Sequence, residues 1–155
     1  MKKNFVTILR KATPHALKDI NHLVSQLSLG ATPCAPLTYA QLQELVSQEN
    51  AFLLTILVKE GKRKKIIGFQ MLYFVRIPSG VFAALEDLFV EETYRKWGAG
   101  PMLMTYAIDF AEKGGARHIS LRTNPKRIEA NKLYQQLGFH LMPTNFYRIN
   151  LPRKR

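Results

Sequence analysis

The chain has 155 residues, of which 46% are apolar and 22% charged; this is the size and make-up of one folded, soluble domain rather than of a disordered or low-complexity chain. A single cysteine, Cys34, excludes an internal disulfide and a multi-thiol metal site and points to a reducing cytoplasm, and no apolar run nears the roughly 20 residues that cross a bilayer. With 23 Lys and Arg against 11 Asp and Glu, the formal net charge is +12, so nucleic acid, or a cofactor carrying several phosphates, belongs among the candidate partners.

The basic start, Met1-Lys2-Lys3-Asn4, is like the head of a signal peptide, but the apolar stretch that follows, Phe5 to Leu9, is too short for one and ends at Arg10-Lys11. That stretch reads as a first strand. Lys18 to Leu29 carries Ile20, Leu23, Val24 and Leu27 at helical spacing, and Gly30 ends it. A loop with two prolines and Cys34 leads to Thr38, which caps a second helix with Gln41 in the capping-box position and Leu42, Leu45 and Val46 on one side. Phe52 to Val58 then reads as a strand, Lys59-Glu60-Gly61-Lys62 as a hairpin turn, and Ile66 to Val75 as the return strand. Lys62, Arg63, Lys64 and Lys65, like Arg153, Lys154 and Arg155 at the end, are by default solvated charges of a turn and a tail. Val81 to Val90 is a third long strand. A helix runs from beyond Gly100 to about Lys113 and stops at Gly114-Gly115, with Met102, Met104 and Phe110 read as core. Ile119 to Arg122 is a strand, and Arg127 to Leu137 a helix with Ala130, Leu133, Tyr134 and Leu137 on one stripe. Phe139 to Leu151 reads as one or two final strands broken at Pro143. This order predicts an α/β (α+β) fold, a mixed sandwich around one sheet, and not a doubly wound one.

Between the third strand and its helix stands Tyr94-Arg95-Lys96-Trp97-Gly98-Ala99-Gly100-Pro101. Two glycines let the backbone turn tightly and approach a ligand, and the unpartnered amides of a helix's first turn attract anions, pyrophosphate included. Pro101 suits the first helical position but brings no N–H. The pattern is neither a P-loop nor a dinucleotide fingerprint, since no Gly-Lys-Ser/Thr follows and Leu103 stands where a third glycine would fall.

Three blocks in fixed order resemble the GNAT superfamily of N-acetyltransferases: the strand Leu85-Glu86-Asp87-Leu88-Phe89-Val90, the Arg-x-x-Gly-x-Gly turn at Arg95, Gly98 and Gly100, and the helix Ala130-Asn131-Lys132-Leu133-Tyr134 followed by Gly138-Phe139. The resemblance implies one domain over residues 1–155, with a mixed central sheet flanked by helices and acetyl-CoA as cosubstrate. The donor would lie in a cleft between two splayed parallel strands, those around Leu88 and Ile119. It further implies that the main chain of Leu88, Phe89 and Val90 pairs with the pantetheine arm. The pyrophosphate would lie on Lys96, Trp97, Gly98, Ala99 and Gly100, with Pro101 following and Arg95 alongside. Many relatives carry Asn seven residues before the tyrosine; here that position is Arg127, so that contact is not carried over. Lys126 and Arg127 would meet the cofactor phosphates, an acidic group on the substrate, or only water.

Amine acetylation needs a neutral amine, and a carboxylate can take the proton. Alternation along a strand sends Glu86 and Asp87 to opposite faces, so at most one faces the cleft; the resemblance assigns the general base to Glu86 and the general acid, which protonates the leaving thiolate, to Tyr134. His15, His22, His118 and His140 show no metal-ligand spacing, and no metal is implied. The resemblance implies that the helical pair at 18–48 and the loop at 30–36 form the acceptor side, and neither holds a readable motif. A chain of charge +12 is a poor host for polyamines. A small primary amine bearing an acidic group, such as an aminoalkylphosphonate or an amino sugar phosphate, fits the field, as does a protein or peptide amine on a nucleic-acid complex. The rival reading is a non-catalytic module that binds CoA or RNA. Homodimers are common in the family.

Overall fold

The apolar, strand-forming runs in the middle of the chain become the long strands of one sheet. The computed structural model describes residues 4–27 and 35–151; the expectations at Gly30, at Cys34 and in the basic tail fall outside them. Two units are resolved by their internal packing, Met1–Arg122 and Thr123–Arg155.

In the first unit β1 (Asn4–Ile8), β2 (Ala51–Glu60), β3 (Arg63–Ile77), β4 (Gly80–Val90) and β5 (Ile119–Leu121) form a five-stranded sheet in the order β1-β2-β3-β4-β5. The first three pairings are antiparallel and β4 with β5 is parallel. Alternation along the strands divides the apolar side chains between two layers. Leu53, Phe69, Met71 and Phe89 pack with Ile20 and Leu23 of α1 (Pro14–Gln26) and Leu42 and Val46 of α2 (Tyr39–Val46). On the other face Phe52 and Phe74 meet Phe110 of α3 (Ala99–Lys113), and Gln70 donates to Met104 Sδ. Burying a side chain such as Leu23 or Leu42, both fully enclosed, contributes about 1.5–3 kcal/mol each.

The first helix starts four residues before its apolar stripe suggests, at Pro14. Thr13 accepts the Ala16 N–H at 3.1 Å and Pro14 fills the first turn, where no intrahelical donor is needed. Thr38 and Gln41 form the expected reciprocal cap, at 3.2 and 2.8 Å. Asn21 holds both main-chain groups of Leu37, at 2.9 and 2.7 Å, and so ties α1 to the start of α2. Buried Asp19 pins α1 to the sheet, accepting the Ile66 N–H at 3.1 Å and pairing with Arg63. Met104 is core as expected, Phe110 is half-buried in a ring cluster, and Met102 is exposed.

In the second unit α4 spans Ile128–Gln136, and Gly138 turns the chain with φ of 88°. The final strands expected over Phe139–Leu151 do not form among the described residues. The reason is visible in exposure: Leu141, Met142, Phe146, Tyr147, Ile149 and Leu151 are all exposed, so no buried face selects a strand register. No helix among the described residues is long and apolar enough to cross a membrane.

Gly68 of β3 lies under β4, where a Cβ would stand 2.8 Å from the Phe89 carbonyl oxygen and 3.0 Å from Ile56 Cγ2. Backbone cannot yield as a side-chain tip can, so Gly68→Ala is expected to lower the urea midpoint by an amount corresponding to about 1–3 kcal/mol. An unchanged midpoint would show that β3 and β4 separate at little cost.

Candidate active site

The β3–β4 ladder contains a defect that shapes everything beside it. Phe69 pairs with Phe89 and Met71 with Glu86, so Gln70 alone opposes two residues, Asp87 and Leu88. This is a β-bulge, and Asp87 takes it up with φ of 55°, a left-handed conformation that Asp tolerates better than most residues. The alternation that would send Glu86 and Asp87 to opposite faces is thereby broken. Both carboxylates act on the Tyr73 phenol: burial pushes that hydroxyl above its ordinary range, and Asp87 and Glu86 push it further. Asp87 itself is solvent-reachable, yet the surrounding protein, and then the neighbouring Glu86 charge, hold its carboxyl above the usual range.

The parallel ladder of β4 with β5 joins Ala83, Ala84 and Leu85 to Ile119, Ser120 and Leu121 and goes no further. The next residue on each strand carries a charge. Arg122 donates to Glu86 Oε1 at 2.5 Å, with the two side chains 59% and 35% exposed. Beyond that pair Leu88, Phe89 and Val90 have no β5 partner among the described residues. A half-partnered strand edge of this kind offers free main-chain groups to an extended chain.

At the end of β4 the chain enters a short 3₁₀ segment, Glu92–Trp97, anchored from three sides. Tyr94 is buried and donates to Glu60 Oε1 at 3.1 Å; Lys65 binds Glu91 at 3.0 Å; Arg95 Nε donates to the Val90 carbonyl at 3.0 Å, its guanidinium lying over the Phe89 ring. Arg95 therefore fastens the turn to the strand, and Lys96 and Trp97 are left exposed at the rim. Gly98 follows with φ of 75° and open space where a side chain would stand. It is the N-cap of α3, and no side chain caps that end. The helix begins at Ala99, so Pro101 is its third residue and not its first. The first intrahelical bond, Met102 N–H to the Gly98 carbonyl at 3.0 Å, leaves the amides of Ala99 and Gly100 without acceptors in the helix. Open space, free amides and flanking cations fit a pyrophosphate.

Tyr134 and Arg127 belong to the second unit. Tyr134 is buried, its ring edge-on to Phe139 at 6.1 Å. Burial raises its phenol above the ordinary range, Arg127 pulling it partly back, and the hydroxyl keeps its proton at neutral pH. Arg127 is half-buried at the N-cap of α4. Asn131 donates to the carbonyls of Asn124 and Arg127 at 3.1 and 2.9 Å, so these asparagines brace the turn into α4. Among the described residues no group of His, Cys, Asp and Glu is placed to hold a metal ion.

The sheet thus carries carboxylates where its parallel ladder stops and leads into an uncapped glycine turn. The chain matches the model of the acetyltransferase (GNAT) family over residues 18–139. It is 36% identical over 103 residues to the uncharacterized N-acetyltransferase YhfO of Bacillus subtilis (strain 168), covering 64% of this chain and 68% of that one. To the uncharacterized N-acetyltransferase YhdJ of the same organism it is 31% identical over 103 residues, covering 66% and 71%. The crystal structure of an acetyltransferase from Trypanosoma brucei shares the fold, with a TM-score of 0.76 at 19% identity over 96% of this chain and 100% of that one. The chain belongs to the acetyltransferase (GNAT) family and is an N-acetyltransferase; members of this family use acetyl-CoA.

Sequence reasoning missed the bulge, Tyr73 and Arg122. Arg122 becomes visible only when the parallel register sets it one step beyond Leu121, opposite Glu86.

Because the folded protein disfavours ionisation of Asp87, its charge opposes folding once pH exceeds the unfolded value near 3.8. Asp87→Asn is therefore expected to melt above the wild type at neutral pH, with the gap closing as pH falls below that value. A gap of equal size in acid, measured by thermal melts across the range, would assign the effect to backbone preference alone.

Proposed function

We propose that this protein transfers the acetyl group of acetyl-CoA directly to a primary amine of a small molecule, in the cytoplasm, and that residues 1–155 act as one domain. The family match crosses the boundary between the two units, which supports that last point. The observation that carries the proposal is the succession along β4: paired carboxylates at the bulge, then an unpartnered strand edge, then the open Gly98 turn. In this reading Leu88, Phe89 and Val90 hold the pantetheine arm by their main chain, though the Val90 carbonyl is shared with Arg95. The turn from Lys96 to Gly100 holds the pyrophosphate, with Arg95 and Arg127 contributing charge. When bound, acetyl-CoA supplies an activated acyl carbon and a thiolate leaving group.

The chain's own part is proton management. An alkylamine has a pKa near that of lysine, about 10.4, and is mostly an ammonium at neutral pH. Glu86 takes one proton from it and so frees the lone pair that forms the C–N bond. As the C–S bond breaks, Tyr134 gives its proton to sulfur and is reprotonated from solvent, while the surplus nitrogen proton leaves to water. No covalent enzyme intermediate is needed. The long-range field of a +12 chain favours an amine that also bears an acidic group over a polyamine.

Thiol release from acetyl-CoA, followed across aminoalkylphosphonates, amino sugars, polyamines and peptide amino termini, tests the reading. Release with at least one small amine is expected; acetyl-CoA binding without release for any would leave a binding module. Tyr134→Phe is expected to lower kcat by about 10²-fold or more, with acetyl-CoA affinity by calorimetry and the melting temperature close to wild type. Unchanged kcat would remove Tyr134 from the chemistry.

A further inference from the structure

The Arg122–Glu86 pair stands where the sheet stops being a ladder, and its setting is unusual for a structural ion pair. It bridges β4 and β5 one residue beyond their last main-chain pairing, Leu85 with Leu121. Its side chains are 59% and 35% exposed, so solvent screens it and opening it costs little, since exposed pairs are worth about 0–1 kcal/mol. It is not alone: the bulge places Asp87 beside Glu86, and Tyr73 lies within the field of both carboxylates. Two carboxylates against one guanidinium make this spot locally acidic on a chain whose formal charge is +12. Out to about the screening length, roughly 8 Å at physiological salt, the net positive chain attracts anions. Within contact distance this spot attracts an ammonium. One kind of molecule satisfies both fields, namely one that carries both charges.

Resting on the acetyl-transfer reading above, we propose that Glu86 and Arg122 are the two halves of a receptor for a zwitterionic acceptor, an amine with a carboxylate, phosphonate or phosphate a few bonds away. The acceptor enters by ion-pair exchange: its ammonium replaces the Arg122 guanidinium on Glu86, and its acidic group replaces the Glu86 carboxylate on Arg122. Each of the two protein charges keeps an oppositely charged partner throughout the exchange. The exchange also places the ammonium against the carboxylate proposed to deprotonate it. Arg122 is then the specificity-determining residue. A plain alkylamine would leave the guanidinium without its carboxylate, and a diamine would bring its second cation against it.

The test compares two pairs of acceptors whose members differ in the acid, β-alanine against β-alaninamide and 2-aminoethylphosphonate against propylamine. The wild type, Arg122→Gln and Arg122→Lys are each assayed by thiol release and by calorimetry of the amine itself, which needs no turnover. In so exposed a setting a charged contact is worth up to about 1 kcal/mol, or roughly five-fold. The wild type is therefore expected to favour the acid-bearing member several-fold in kcat/KM, mostly through KM. Arg122→Gln should bring the ratio close to one, and Arg122→Lys should keep part of it, with acetyl-CoA affinity the same in all three. A wild-type ratio near one, or a ratio that survives Arg122→Gln, overturns the assignment. Were no amine to release thiol, the transfer reading would fall on its own; tighter binding of the acid-bearing member by the wild type than by Arg122→Gln would still uphold the receptor, and equal binding would overturn it.

Discussion

One extra residue in β4 is the constraint on which the site depends. Gln70 faces both Asp87 and Leu88, and the surplus cannot be absorbed by a flat strand, so Asp87 turns to a left-handed φ of 55°. A bulge increases local twist and bends the strand that carries it. Here the bend begins one residue after the β4–β5 ladder ends, so β4 continues with one edge on β3 and the other without a strand. An isolated bulge in a two-sided sheet would be a defect. This one lies just past the end of the β4–β5 pairing, the one parallel pairing among the described residues, where β4 loses its β5 neighbour.

The elements around the exit of β4 hold it from several sides. Asp19 fixes α1 on Ile66 and Arg63, at the hairpin end of β3. Glu91, just past β4, is held by the Ile67 carbonyl through its own N–H and by Lys65 through its carboxylate. Burial disfavours the Lys65 ammonium, but the hydrogen bond and charge of Glu91 more than offset this and leave its pKa raised. Tyr94 reaches back to Glu60 at the tip of β2. The basic hairpin run read from sequence as solvated charge is thus partly structural: Arg63 and Lys65 are committed to carboxylates, and Lys64 lies over the Phe5 ring. These contacts set where the strand stops and where the glycine turn begins, which is what a main-chain anion cradle requires, since its donors are only as well placed as the backbone that carries them.

Much of the fold was legible because it rests on local period and local capping. The apolar, strand-forming runs of 52–58 and 66–75, the Thr38–Gln41 box and the Gly114-Gly115 stop each encode their element within a few residues. What was not legible depends on partners distant in sequence. The bulge reflects how β3 and β4 fit each other, and no residue in Leu85-Glu86-Asp87-Leu88 announces it. The missing strands of 139–151 show the converse: the segment has the apolar residues of a strand but no buried face to choose between registers. Glu86 and Tyr134 were singled out through a resemblance of motifs, and the glycine turn by its place between a strand and a helix. Arg122 carries no motif, and its place opposite Glu86 follows from a three-residue parallel ladder.

Charge enters at two scales, and they have opposite signs. Across the whole chain cations exceed anions by twelve, and such an excess acts at long range on any polyanion. At the bulge the order reverses, with Glu86 and Asp87 against Arg122, and with Asp87 and Tyr73 both held above their ordinary pKa ranges by burial and by neighbouring negative charge. A purely nucleic-acid-binding surface has no use for that inversion, because carboxylates placed beside a basic surface repel the phosphates it gathers. A reaction that must strip a proton from an ammonium needs it, because the carboxylate has to sit where the cation arrives. The same basic field that gathers a coenzyme's phosphates would turn cationic acceptors away, unless the acceptor carried an anion of its own. The two scales are compatible only if the acidic spot is small and close to the surface, and a half-exposed glutamate paired across two strand ends meets that condition.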